Sequence, residues 1–248
     1  MVRELIKRAL LRRDMILSRP PGQFNVTELK LAKARDRGLG VNMAVDGGAA
    51  EGEWAEEFKQ IFPDAKLLCV EPRDAAQPEL KRRAAALSGV SVAQTLIGAS
   101  EGTIEFYESS HQSSIFKDPN GQEWGKKITA PITTLDSLIT KMGLPDPDLI
   151  KLDLQGAELD CLRGAPRCLA HAEAVMLELS FIEIQRGMPL IGEVVAFMGE
   201  RGFRLYDVTA LWHRPLDGAL AQGDFLFISN RSKLVADTRW SANGPAAE

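Results

Sequence analysis

Ala44-Val45-Asp46-Gly47-Gly48-Ala49-Ala50-Glu51-Gly52 is a short apolar run that ends in an acid, passes through glycines and leads into a helical period. A strand, a glycine turn and a helix in that order open a βαβ unit. Gly48 and Gly52 are expected to let the backbone approach a ligand where a side chain would collide. A dinucleotide fingerprint needs glycines at its first, third and sixth positions, and no frame through residues 46–53 supplies all three. Asp46 would also lie beside a pyrophosphate. A carboxylate there repels phosphate but is attractive or neutral toward a sulfonium and an ammonium.

The next run outward, Lys66-Leu67-Leu68-Cys69-Val70-Glu71, is a second strand ending in an acid, 19 residues after Gly52. A carboxylate at that place can accept hydrogen bonds from both ribose hydroxyls of a nucleoside lying across the strand ends. Leu96-Ile97-Gly98-Ala99 closes the third run, where an adenine can stack. Asp46, Gly47, Gly48, Ala49, Gly52, Glu71, Ile97, Gly98 and Ala99 together describe a crevice for an adenosyl ligand that carries positive charge instead of phosphate. Either element alone is weak evidence, since an ordinary βα turn followed by a surface glutamate reads much the same.

The rhythm continues along the chain. Strand-like runs at 43–46, 66–70, 90–97, 148–153 and 174–179 alternate with helical periods at 53–62, 78–87, 157–169 and 190–202. That alternation implies a doubly wound α/β fold with a mostly parallel sheet. Two late runs, 203–208 and 224–229, lack a helix between them and form an expected antiparallel pair. Residues 102–133, with short strands at 103–107 and 128–132, and residues 209–223 interrupt the rhythm as long loops, which are usually functional. Residues 1–40 are expected as a helical extension in which Asn25 and Glu28 cap a helix, 41–230 as one domain and 231–248 as a flexible tail.

The 30 basic and 34 acidic side chains leave a net charge of −4, so no global field gathers nucleic acid. Cys69, Cys161 and Cys168 form no C-x-x-C pair, which argues against a disulfide framework or structural zinc and for a reducing cytoplasm. Charges break every apolar stretch of the N-terminus before it reaches signal-peptide length, and no later stretch approaches a membrane span. Residues 1–17 read as a basic amphipathic helix, suited to packing on the domain or on a second copy in a homo-oligomer, and also to lying on an anionic membrane surface.

The chain resembles the FkbM-type methyltransferase family. The resemblance rests on Val45-Asp-Gly-Gly-Ala-Ala-Glu-Gly-Glu-Trp54, Val70-Glu-Pro72, Ser113-Ser114, Thr134-Leu-Asp136 and Leu149-Ile-Lys-Leu-Asp-Leu-Gln-Gly-Ala-Glu158. It continues through Leu162-Arg-Gly-Ala165, Glu178-Leu-Ser-Phe181, Gly202-Phe203 and Gln222-Gly-Asp-Phe-Leu-Phe227. Similarity to that family implies the seven-stranded, Rossmann-like methyltransferase sheet with an antiparallel C-terminal strand. It further implies S-adenosylmethionine as donor and a hydroxyl acceptor on a sugar, glycan or secondary metabolite. Gly47 stands where relatives more often carry valine or isoleucine, and residues 121–127 are a variable stretch that leaves the acceptor open.

Methyl transfer is an in-line displacement, so alignment and electrostatics are the protein's main contributions, and a base is needed only for a hydroxyl acceptor. Asp153, ending the fourth strand at the switch point, is the first choice for that base. Lys151 alternates onto its side of the strand and needs a partner, which Asp153, Glu158 or Glu178 could supply. Glu178 ends the fifth strand as an acceptor-binding or catalytic group. A metal site wants more carboxylates than these two, so none is assigned. His111 in the long loop is a further catalytic candidate, and Ser113, Ser114, Trp124, Lys151, Trp212 and His213 are the expected acceptor contacts, the aromatics suiting a sugar ring. The competing readings are a noncatalytic adenosyl-binding scaffold and, more remotely, a nicotinamide-dependent oxidoreductase.

Overall fold

The computed structural model describes residues 24–109, 113–117, 125–239 and 241. Eleven strands follow one another in the described chain: β1 Phe24–Asn25, β2 Met43–Gly47, β3 Lys66–Val70, β4 Val90–Ala93, β5 Leu96–Ile97, β6 Gly102–Glu108, β7 Lys126–Thr133, β8 Leu149–Leu152, β9 Ala174–Ser180, β10 Phe203–His213 and β11 Leu220–Ser229. Eight of them form one sheet in the order β1-β10-β11-β9-β8-β2-β3-β4. The five from β4 to β9 are parallel, and β11 inserts antiparallel between β9 and β10. This is the doubly wound, mostly parallel sheet with an antiparallel C-terminal strand. The two-residue β1 adds an eighth, edge strand against β10.

Seven helices among the described residues cover the sheet: α1 Thr27–Asp36, α2 Glu53–Ile61, α3 Gln77–Ala85, α4 Leu135–Lys141, α5 Glu158–Arg163, α6 Pro166–His171 and α7 Ile191–Glu200. Strand alternation divides the core. Ala44, Leu67, Cys69, Leu149, Met176 and Leu226 face a layer built on Leu31, Phe58 and Leu80. Val45, Leu68, Ile150, Val175, Leu177 and Phe227 face the opposite layer of Ile139, Leu162 and Met198. Both faces are therefore buried, as parallel strands between helices require. No helix among the described residues is long and apolar enough to cross a membrane.

Several elements differ from their sequence reading. The run 90–97 splits because Ala93 still pairs with Val70, whereas Leu96 and Ile97 leave to pair with Ile132 and Thr133 of β7. With β6 this makes a separate three-stranded sheet, β5-β7-β6, out of most of the interval read as a loop with short strands. The helix expected over 157–169 breaks before Pro166, which has no N–H to continue it, and a Cβ on Gly164 would lie 2.1 Å from the carbonyl oxygen of Gly98. The interval 209–223 is mostly strand: β10 and β11 run on to His213 and Leu220, and an Arg214–Asp217 ion pair closes the turn.

The N-terminal part of the described chain packs on this domain. Asn25 Oδ1 accepts the Thr27 N–H at 3.1 Å at the start of α1, and Leu31 and Ala34 join the core. Residues 1–23 and 242–248, and hence the basic amphipathic segment and part of the expected tail, lie outside the described residues.

Candidate active site

At the carboxyl ends of the parallel strands, the turn after β2 folds back on β3. The Gly48 and Ala49 N–H groups both donate to the Val70 carbonyl, at 2.9 and 3.1 Å. Gly48 has φ +79°, and a Cβ there would lie 1.9 Å from the Asp153 carbonyl oxygen. The glycine is thus demanded by the neighbouring loop as well as by any ligand. Gly52, at φ +90°, is the left-handed residue before α2, with Leu80 packed against its α-carbon. Ala50 adopts φ +47° without being glycine, and its N–H donates to Glu71 Oε2 at 2.9 Å.

Glu71 is 3% exposed. Its Oε1 accepts the Arg73 backbone N–H at 3.0 Å and the Arg73 Nε–H at 2.7 Å. A carboxylate has about four acceptor directions, so one on Oε2 remains for a ligand hydroxyl. Glu71 opens on a cavity of about 340 Å³. Gly48, Ala50 and Arg73 share its wall; Leu96, Ile97, Gly98 and Ala99 with Ile104, Phe106 and Ile132 of the small sheet form an apolar wall; Asp153, Leu154 and Gln155 close one end. The small sheet helps to enclose the space, so the interval that broke the βαβ rhythm builds part of the crevice.

Of the residues expected around the donor, Gly48, Glu71, Ile97, Gly98 and Ala99 line this cavity. Asp46, Gly47, Ala49 and Gly52 are not among the residues that line it. Gly47 lacks a side chain where Leu152 and Ile97 fill the space, 2.8 and 3.0 Å from where its Cβ would stand. Asp46 is fully buried, and its Oδ1 accepts from Lys151 Nζ at 2.8 Å. This corrects the partner expected for Lys151, and register explains it: Asp46 and Lys151 are direct neighbours across β2 and β8, on the same face. Burial pushes the Asp46 carboxyl upward against the pull of Lys151. For Lys151 burial works downward but is outweighed by Asp46 and Asp153, which hold the ammonium above its usual range. Its Nζ also stands 5.5 Å from the centre of the Trp54 ring.

One alternation rule assembles the rest. The apolar residues Ala44, Leu149, Met176 and Leu226 of one face are followed, toward the carboxyl edge, by Asp46, Lys151, Glu178 and Asp224, with Asp153 beyond Lys151. Gln155 Nε2 donates to Asp153 Oδ1 at 2.8 Å and to Glu178 Oε2 at 2.9 Å, and Gln222 Nε2 reaches the same Glu178 oxygen at 3.1 Å. Burial, then the charge of Asp153, raises the Glu178 carboxyl well above the usual carboxylate range. Asp224 is pushed up to about 7 by burial and by Asp153, against Lys151. Glu158 accepts the Leu154 N–H at 2.6 Å and the Gly156 N–H at 3.3 Å, fixing the loop after β8; burial lifts it to about 7 against those backbone donors.

Ser113 lines the cavity. Ser114 does not; it is buried, with its hydroxyl 2.6 Å from Gln185 Oε1 and 3.0 Å from the Gln155 carbonyl. Trp212 and His213 end β10, where Trp212 lies opposite Gln222, whose amide reaches Glu178; Lys151, Glu178, Trp212 and His213 are not among the residues that line the cavity. His111 and Trp124 lie outside the described residues. Sequence reasoning missed Ala50, Arg73, Gln155, Gln222 and Asp224. Register could have flagged Asp224, since an acid inside an apolar strand needs a polar neighbour; no local signal marks the others.

The family model described as "Methyltransferase FkbM domain" matches residues 46–205. The 2-O-methyltransferase NoeI of Sinorhizobium fredii (strain NBRC 101917 / NGR234) is 27% identical over 162 residues, 59% of this chain and 67% of that protein. Methyltransferase sdnD of Sordaria araneosa is 26% identical over 201 residues, 68% of this chain and 76% of that protein. Among solved structures, the methyltransferase FkbM from Methylobacillus flagellatus KT is similar with 18% identity and a TM-score of 0.49, over 74% of this chain. The match spans only 43% of that solved chain.

Proposed function

The chain belongs to the FkbM methyltransferase family and is a methyltransferase, and from that premise we propose that it takes a methyl group from S-adenosylmethionine and places it on a hydroxyl oxygen of a sugar, glycan or secondary metabolite. The observation that carries the donor assignment is Glu71: a nearly buried carboxylate at a strand end, opening on an enclosed cavity with acceptor capacity left on Oε2. That free direction suits one hydroxyl of a ribose, and the apolar wall of Ile97, Ile104, Phe106 and Ile132 suits an adenine. The residues present fit the group. Gly48, Ala50, Glu71, Ile97, Gly98 and Ala99 would hold it, with Asp46, Gly47, Ala49 and Gly52 shaping the strand end and turn.

Bound there, S-adenosylmethionine supplies an electrophilic methyl carbon, and its sulfur keeps the bonding pair when that carbon leaves. The chain's own task is alignment and charge. Asp153 stands at the end of the cavity and is our choice for the carboxylate that takes the acceptor's hydroxyl proton as the carbon–oxygen bond forms. Glu178, its carboxyl raised by burial, serves as a hydrogen-bonding group toward the acceptor. Lys151, paired with Asp46, adds a fixed positive charge on the acceptor side. Ser113 lines the cavity near this region, Ser114 braces the Gln155 carbonyl behind it, and Trp212 and His213 on β10 offer the aromatic surface a sugar ring prefers. His111 and Trp124 remain candidates of the same interval. Oxygen as the receiving atom is supported by the 2-O-methyltransferase name of one relative. Cys69, Cys161 and Cys168 are buried free thiols, in keeping with a reducing, cytoplasmic setting.

The test is transfer of an isotopically labelled methyl group to a panel of glycans and hydroxylated metabolites, with the product bond located by mass spectrometry and NMR. The expected product carries the label on oxygen. Label found only on nitrogen, or donor binding without turnover on any acceptor, overturns the assignment, the second outcome in favour of the scaffold reading.

A further inference from the structure

Gln155 occupies a costly conformation. Its φ of +52° lies in the left-handed region, which glycine enters freely and a long side chain does not. The following residue, Gly156, is also left-handed, at φ +99°. Strain of this kind persists only where the surroundings over-determine it, and it concentrates at working sites. Here the surroundings do so: Ser114 Oγ is 3.0 Å from the Gln155 carbonyl, and Glu158 takes the N–H groups of Leu154 and Gly156 on either side. All of these contacts could be kept with glycine at position 155. What glycine would lose is the side-chain amide.

That amide does one specific thing. It delivers its two N–H groups to two different carboxyls, Asp153 Oδ1 at 2.8 Å and Glu178 Oε2 at 2.9 Å. These come from adjacent strands and share the sheet face that also carries Lys151 and Asp224. We propose that Gln155 is the positioning residue of the methyl-transfer centre: its amide clamps Asp153 and Glu178 as one rigid pair and so aims Asp153 at the acceptor hydroxyl. The inference rests on Asp153 being the proton acceptor of the proposed reaction. A neutral amide suits this task. It stabilises the Asp153 anion without neutralising it, and it crosses to Glu178 without adding a further negative charge to a row that already holds the carboxyls of Asp46, Asp153, Glu178 and Asp224. The charged and titratable groups facing the pair are Lys151 from β8, Asp46 from β2, Glu158 from α5 and Asp224 from β11, all left in place by changes at Gln155.

The test compares kcat, KM and the pH profile of kcat for wild type, Gln155→Glu and Gln155→Asn, with binding of S-adenosylhomocysteine and the thermal midpoint measured in parallel. Gln155→Glu keeps the shape and removes both donors. Gln155→Asn tolerates the left-handed backbone well, so it folds, but its amide is a methylene too short to span both carboxyls. For both variants we expect donor affinity within about twofold of wild type and kcat at neutral pH lowered at least about tenfold. The acid limb of the profile should move to higher pH by about one pH unit, because a carboxylate deprived of its donors holds its proton more tightly. A normal kcat and an unmoved limb in Gln155→Asn overturn the clamp, as does a fall in kcat with no movement of the limb. Asp153→Asn separates the two readings: if it turns over normally, the assignment of Asp153 fails; if it is inactive while the Gln155 variants behave as wild type, only the clamp fails.

Discussion

Removing Lys151 would leave the fully buried Asp46 carboxyl with no cation beside it. Breaking one side of such a pair costs about 3–5 kcal/mol, whereas replacing both partners by apolar groups is often neutral. Lys151→Met is therefore expected to unfold at much lower urea concentration than wild type, and Asp46→Leu combined with Lys151→Met to regain most of the loss. Equal instability of the single and double variants would show that the pair does more than compensate charge. Asp46 and Glu71 are readable in the sequence because each ends an apolar run just before a glycine or proline, where local pattern and position coincide. Their partners are not. Asp46 meets Lys151 across 105 residues, and Asp153 meets Glu178 through Gln155, so those contacts exist only once strand register is set. Gly48 is legible as a place of close approach, but the backbone that needs its bare α-carbon includes the Asp153 carbonyl, which only the fold brings there.

Among elements, the hairpin of β10 and β11 departs furthest from its sequence pattern. Register shifts between Val208 and Ala210 and between Trp212 and His213 interrupt the twofold alternation past residue 208, where the run legible in the sequence ends. The consequence is functional. Trp212 is carried on a paired strand opposite Gln222, whose amide reaches Glu178, and is thereby held there by hydrogen-bonded backbone. Trp212→Ala is expected to raise the acceptor KM several-fold while leaving S-adenosylhomocysteine affinity unchanged, which steady-state kinetics and calorimetry together measure. Loss of donor affinity instead would place Trp212 on the wrong side of the site. The small sheet of β5, β7 and β6 is legible as isolated short strands. Its role is not, because nothing local in Ile104, Phe106 or Ile132 says that they roof the cavity over Glu71.

Taken as a whole molecule, the α/β order, the parallel sheet and the antiparallel last strand follow from periodicity and short connections, which are local properties. The row of charged groups at the carboxyl edge is a property of the assembled sheet, and it sets how the fold answers to pH. Burial raises Asp224 and Glu158 to about 7 from ordinary carboxylate values near 4. Between those limits the folded chain binds more protons than the unfolded one, so their contribution to stability is complete below about pH 4 and is lost as pH rises through 7. Thermal midpoints are expected to fall from pH 5 to pH 8, and Asp224→Asn to flatten part of that slope; a wild-type midpoint that rises over this range would contradict that sign. The central claim is that Glu71 and the glycine turn hold an adenosyl donor. Calorimetric titration of S-adenosylhomocysteine into wild type and Glu71→Ala tests it most directly. The prediction is one site on the wild-type chain and at least about tenfold weaker binding to the variant. No binding to wild type, or equal affinity for both proteins, would contradict it.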